Sequence, residues 1–388
     1  MIRQSFLALG LRLMAAGIAY ATVMLFGRWM TPQDYGDFVI VLSGLGFGAV
    51  IVGQGYPLIL LRYVHEPNGG AALSAANCRV LMMAVAAALL AAVIAPRPAL
   101  AYGALLLPAF ALCDISGAAL RAQGKITAAL APRDISWRLA LIGLAPAVGF
   151  GASDLLIAAN FILWPIALAM WAAARLPRTG HAPPMQRPAR RVWTTMLANA
   201  GLANLDTLCI AGVFGPEIAG LYFAAARTAS LPSFALNAAN MVLGPRIARA
   251  PVVTDLRKSA LFGALPAFAA FLVFWVAGER ILALFGERFT NMLPVLLILS
   301  LGQVVNGAAG PAGLILNLRG HEACHSRISL SAFVAAMIAV PLAALFGSPV
   351  TVAITSTAIL IAYELALLRA ATRKTGLSIS VFSQGARG

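Results

Sequence analysis

The chain is a succession of long apolar runs separated by short polar breaks. Twelve runs stand out, at 7–27, 37–58, 77–95, 99–120, 135–151, 154–174, 193–213, 218–244, 259–277, 291–316, 328–347 and 350–370. A helix needs about 20 apolar residues to cross the hydrocarbon of a bilayer. The pattern therefore predicts an all-α, polytopic membrane protein with twelve transmembrane helices and little chain outside the membrane. The breaks repeat as well. Pro-x-x-x-Gly-x-aromatic occurs at Pro32/Gly36/Phe38 and again at Pro216/Gly220/Tyr222, and Leu120 to Gly124, after the fourth run, is echoed by Leu316 to Gly320, after the tenth. These echoes predict two six-helix lobes related by an internal repeat, 1–175 and 192–388, joined by a basic, proline-rich linker at 176–191. Two halves written in the same order are a transporter signature.

Composition agrees. With 61% hydrophobic and 11% charged residues and a mean hydropathy of +0.87, a soluble domain of this length would expose far too much apolar surface. Charge then sets orientation. Placing the N-terminus in the cytoplasm puts 21 of the 28 Lys and Arg on the inner side and only Arg28, Arg97, Arg280 and Arg288 in the outer breaks. That bias predicts cytoplasmic N- and C-termini and a cytoplasmic linker. Adding or losing one span would invert every later loop and destroy the alternation. The net charge of +15 is thereby explained by topology and the anionic inner leaflet, with no nucleic-acid partner required. The N-terminus resembles a secretory signal, with Arg3 and Ala19-x-Ala21, but Arg12 interrupts the short apolar region and the run continues to Phe26, so it is read as the first span. The four cysteines, Cys78, Cys113, Cys209 and Cys324, have no paired spacing and are read as packing residues. Gly44 and Gly48 suit close helix contact. Pro108, Pro146, Pro165, Pro232, Pro266, Pro294, Pro311 and Pro341 fall inside the runs, where proline kinks or unwinds a helix.

Ionisable groups at membrane depth are costly and usually face a bundle interior. Six stand out: Arg12, Asp114, Arg138, Asp206, Arg227 and Glu364. Asp206 and Arg227 fall at similar depth in successive runs and are expected to pair. Arg12 and Asp114 are at matching depth near the inner face with Arg138 a turn shallower, which leaves one of those two arginines without an acid. No Walker loop or other nucleotide site is present in the sequence. Energy from an ion gradient would have to recruit Asp206, Asp114 or Glu364, with Asp206 the first choice. A different class is suggested by His321-Glu322-Ala323-Cys324-His325, which matches the zinc-protease pattern His-Glu-x-x-His. No third ligand accompanies it in sequence, and zinc bound at His321 and His325 is the observation that would revive an enzyme.

Several segments resemble the polysaccharide and O-antigen lipid flippases of the multidrug/oligosaccharidyl-lipid/polysaccharide exporter superfamily. Gly278 to Pro311 is similar to the ninth-to-tenth-helix region of those proteins, with its ILxLFGxxF hairpin; Asp206 with 215–227 resembles the start of their second half, Thr31 to Phe38 their first inter-helix turn, and 373–377 their terminal segment. The resemblance implies a non-enzymatic exporter in a bacterial inner membrane. It would move undecaprenyl-diphosphate-linked oligosaccharide by alternating access of two lobes around a central cavity, without a cofactor, alongside a polysaccharide polymerase and glycosyltransferases. For such a cargo, Arg12, Arg138 and Arg227 are candidate diphosphate holders, because planar guanidinium donors match phosphate oxygens. Asp206 and Asp114 would lie in the same cavity, and Arg62, Arg121, Arg246, Arg249 and Arg319 at its inner vestibule. A multidrug antiporter of the same superfamily remains the main alternative. Its amphipathic cations would call for buried acids in an aromatic-rich cavity, whereas here aromatics make up 8% of the chain. Lipid II flippases usually have fourteen spans, more than this chain accommodates.

Overall fold

A computed structural model describes residues 2–177, 180–182, 186–234, 236–237 and 253–375. The described helices are α1 (Ile2–Trp29), α2 (Pro32–Gly53), α3 (Tyr56–Tyr63), α4 (Gly69–Ile94), α5 (Pro98–Ala104), α6 (Leu107–Ala122), α7 (Ile126–Ala131), α8 (Trp137–Val148), α9 (Ala152–Ala174), α10 (Gln186–Ala229), α11 (Val253–Ala283), α12 (Leu293–Ala309), α13 (Ala312–Leu318), α14 (Glu322–Phe346) and α15 (Pro349–Thr375). A π turn, Pro132–Ser136, joins α7 to α8, and a 3-10 turn, Glu287–Met292, leads into α12.

Among the described residues, ten stretches are long and apolar enough to span a membrane. The difference from the twelve expected runs lies in two places. Run 135–151 becomes α8, only 12 residues, or about 18 Å at 1.5 Å per residue, and it continues from α7 through the π turn. Run 193–213 and the first part of run 218–244, as far as Ala229, form two helices that meet at a kink at Gly215 (φ 86°, ψ 175°) and are counted together as α10; residues 238–244 of the second run lie outside the described residues. Prolines act less uniformly than the runs suggested. Pro146, Pro165, Pro266 and Pro341 sit inside helices, whereas Pro108 and Pro294 occupy the first turns of α6 and α12, where the missing N–H costs nothing.

The chain forms two compact units, one of Met1–Asn204 with Phe214–Gly220, the other of Leu205–Val213 with Leu221–Gly388. In the first unit α6 is the hub. It packs against α2, α3, α4, α7 and α9, and most of its residues, from Leu107 to Leu120, are buried. In the second unit α15 plays the corresponding part, packing against α12, α13 and α14. With no water to expel from hydrocarbon, small residues that let backbones approach do much of the holding. A Cβ on Gly307 would stand 2.6 Å from the Gly263 carbonyl, and one on Gly103 2.2 Å from Val41.

Both sequence echoes have structural counterparts. After α6, Gly124 takes φ +77°, Lys125 N–H donates to Leu120 O at 2.9 Å and Gly124 N–H to Arg121 O at 3.0 Å; after α13, Gly320 also takes φ +77°, His321 N–H donates to Leu316 O at 2.8 Å and Gly320 N–H to Asn317 O at 3.4 Å. Each is the left-handed helix stop that glycine permits. The Pro-x-x-x-Gly-x-aromatic motifs meet each other inside the first unit. A Cβ on Gly36 would lie 1.9 Å from the Pro216 carbonyl oxygen, and one on Gly220 2.8 Å from the Tyr35 ring and 3.3 Å from Gly36 Cα. Thr31 caps the first copy, its Oγ1 accepting from Asp34 N–H at 3.2 Å.

Candidate functional site

Asp114 lies on α6, the hub of the first unit, and its partner is a residue the pattern had placed in an inner loop. Arg133 Nη2 stands 2.7 Å from Asp114 Oδ1, with its Nε 3.8 Å from Asp134 Oδ1 and its guanidinium 5.1 Å over the Phe110 ring. The expected partners Arg12 and Arg138 are not in that ion pair. Pro132 reads in sequence as the end of an element, but the helix runs on through the π turn, a device that recurs at functional sites. The turn carries Arg133 and Asp134 back against α6. Arg138 then reaches the Asp134 carbonyl, its Nη1 donating at 2.6 Å, with its guanidinium 4.8 Å over the Trp137 ring. Leu11 of α1 packs with Leu130 and Ile135, which puts the neighbouring Arg12 beside the same turn. Arg121, in the last turn of α6, feels the charges of Arg133, Arg12, Asp114 and Asp134. Four arginines thus gather about two carboxylates, and all but the exposed Arg12 are half-buried.

The second unit holds Asp206. Its Oδ2 accepts from the Tyr222 hydroxyl at 3.0 Å and its Oδ1 from Thr207 N–H at 2.7 Å and Thr207 Oγ1 at 3.4 Å. Tyr222 also hydrogen bonds with Ser356 of α15. Hydroxyl and amide donors thus join the expected partner Arg227 in acting on the Asp206 carboxylate. The Arg227 guanidinium also lies 4.5 Å over the Phe223 ring. Glu364 of α15 is buried. Depth along a helix is legible in sequence, but which way a side chain turns is set by packing, and that is why the pairing differs.

Of the His-Glu-x-x-His spacing, the second histidine is taken up in packing. His321 lies just before α14, while His325 is 7% exposed. His325 Nδ1 bonds Asn317 Oδ1 at 2.9 Å and its Nε2 lies 3.4 Å from the Tyr363 hydroxyl, which also meets Ser329 Oγ at 3.2 Å. Glu322 occupies the first turn of α14. No group of three His, Cys, Asp or Glu side chains suited to a metal occurs among the described residues. Of the vestibule arginines, Arg62 closes α3 and Arg319 caps α13, both exposed; Arg246 and Arg249 lie outside the described residues. One membrane carboxylate escaped the sequence reading. Asp37, 4% exposed near the start of α2, is ion-paired with Arg97. It is the first residue of the run 37–58 and was not among the six ionisable groups that the sequence singled out.

No protein-family model matches the sequence, and no curated protein sequence matches it. Solved structures do. An inward-facing multidrug resistance MATE family transporter of the MOP superfamily aligns with TM-score 0.69 at 12% identity, over 93% of this chain and 94% of that one. The lipid II flippase MurJ, in an inward closed conformation, aligns with TM-score 0.67 at 13% identity, over 94% and 87%. A MOP superfamily transporter from Pyrococcus furiosus, described as having a binding pocket of reverse polarity, aligns with TM-score 0.61 at 12% identity, over 96% and 93%. At these identities the likeness speaks to architecture: this all-α membrane chain shares its fold with these transporters.

Proposed function

We propose that this protein is a flippase that moves undecaprenyl-diphosphate-linked oligosaccharide across a bacterial inner membrane, serving O-antigen, capsule or exopolysaccharide synthesis. One observation carries the reading. Among the described residues the first unit gathers Arg12, Arg121, Arg133 and Arg138 about Asp114 and Asp134, a set of six side chains that is cationic by two charges. A diphosphate is the anion that such a cluster suits, since guanidinium forks pair with phosphate oxygens and stay charged at any physiological pH. An exporter of amphipathic cations would be served by the opposite surplus. With both termini cytoplasmic, as the distribution of Lys and Arg supports, the cluster sits toward the leaflet where cargo is assembled. The fold shared with MurJ supports a lipid cargo and the fold shared with MATE transporters supports alternating access.

In the second unit, taken by itself, Arg227 is a further proposed cationic contact for cargo, and Asp206, with its hydroxyl donors, is the candidate there for coupling to an ion. The test is flipping of a fluorescent undecaprenyl-diphosphate oligosaccharide in proteoliposomes. Arg12→Ala, Arg121→Ala, Arg138→Ala and Arg227→Ala are each expected to slow it by about tenfold or more while the protein stays folded, the loss of one charge-assisted contact being about 1.5–3 kcal/mol. Wild-type protein that flips none of several sugar head groups under either ion gradient, yet extrudes lipophilic cations, would overturn the proposal in favour of a multidrug antiporter.

A further inference from the structure

Inside the candidate spans, the carboxylates that are not exposed are mostly held by donors. Asp37 has Arg97, Asp114 has Arg133, and Asp206 has Thr207 and Tyr222. Glu364 differs. It retains 9% exposure, and among the described residues it has neither a hydrogen-bond nor an ion-pair partner. It also lies well inside its helix, at about 22 Å from the Pro349 end of α15 and about 16 Å from the Thr375 end, at 1.5 Å per residue. An ionised carboxylate in that setting is prohibitively expensive, whereas the neutral acid is tolerated.

The surroundings do not relieve it. α12 and α13 bring no titratable side chain to α15. α14 brings His325, already engaged with Asn317 and Tyr363, and carries Glu322, Cys324 and Arg327 in its first two turns. The stretch 221–229 brings Tyr222, committed to Asp206, and Arg227, stacked on Phe223. On α15 itself, Arg369, Arg373 and Lys374 lie toward its end. The adjacent residue, Tyr363, belongs to a polar chain through His325 to the exposed Asn317, so groups able to relay a proton begin one residue away.

We propose that Glu364 is a proton-carrying site. In this conformation it is the neutral acid. When the second unit admits water to α15, its O–H bond breaks, water takes the proton as hydronium and the carboxylate remains, to be reprotonated when the site closes. The occupant is a proton and not a metal ion, because no set of oxygen ligands surrounds the carboxyl among the described residues. The inference goes beyond the choice of cargo, since a flippase or a drug exporter could use the same group.

The test uses the full chain in lipid nanodiscs and no cargo, so its failure is separate from failure of the flippase reading. Infrared difference spectra at neutral pH are expected to show a carboxylic acid C=O band that is lost in Glu364→Gln. Dicyclohexylcarbodiimide, which reacts with protonated carboxyls in apolar settings, is expected to label the wild-type peptide carrying Glu364. That labelling should fall at least tenfold between about pH 5 and about pH 10, a window that brackets the highest values documented for buried glutamates, and should be indifferent to sodium. The wild-type measurements stand even if the variant does not fold. No adduct at Glu364 together with no acid band, or labelling that sodium suppresses at fixed pH, would overturn the proposal.

Discussion

The contact between Gly36 and Pro216 makes a sharp prediction. In Gly36→Ala the new methyl would be placed 1.9 Å from the Pro216 carbonyl oxygen and 2.2 Å from its carbon. Ordinary contact begins near 3.4 Å, so the backbones must separate by about 1.5 Å, and neither can swing aside as a side chain would. Overpacking of this kind costs typically about 1–3 kcal/mol, occasionally more. Here the upper end is expected, because the atoms in the way are backbone and because Phe26, Tyr35 and Phe38 in the same region are completely buried. Thermal unfolding of purified protein, followed by the loss of the monodisperse peak, should show a clear fall in apparent Tm for Gly36→Ala. Gly44→Ala, where nothing lies within 4 Å of the added carbon, serves as the control and should match wild type. If Gly36→Ala matched wild type too, the close approach of the two motifs would be wrong.

Three further outcomes follow from particular contacts. Arg133→Gln leaves Asp114 without its 2.7 Å partner and should destabilise the first unit by about 1–3 kcal/mol, less than a fully buried pair would lose because both side chains keep some exposure; the double variant with Asp114→Asn should recover part of this in the same thermal assay. His325→Ala strands Asn317 and Tyr363, with an expected loss of about 1–3 kcal/mol, while purified wild-type protein should contain no stoichiometric zinc by elemental analysis. A zinc that disappears in His321→Ala would restore the enzyme reading. Thr31→Ala removes the cap of α2 and should cost about 1 kcal/mol, measurable as faster amide exchange in the first turn.

The sequence by itself determined the class, the approximate placement of most apolar helices and the two matching glycine stops. Hydrocarbon demands long apolar runs, and the left-handed stops at Gly124 and Gly320 demand glycine, so both are written locally. It also located Asp114, Asp206 and Glu364 as the acids worth watching, from the cost of charge in a membrane alone. The tertiary structure decided their partners. That Arg133 meets Asp114 depends on a π turn continuing the helix through Pro132, which no local pattern announced. That Asp206 takes hydroxyl and amide donors, and that Glu364 has none among the described residues, depends on which faces of α10 and α15 turn toward their neighbours. The histidine pair shows the same limit from the other side: spacing of one helical turn can hold a metal or pack a helix, and it took the positions of Asn317 and Tyr363 to show how His325 is packed. Helix formation is dictated by neighbours a few residues away along the chain. Pairing of charges is dictated by residues that become neighbours only when the helices pack.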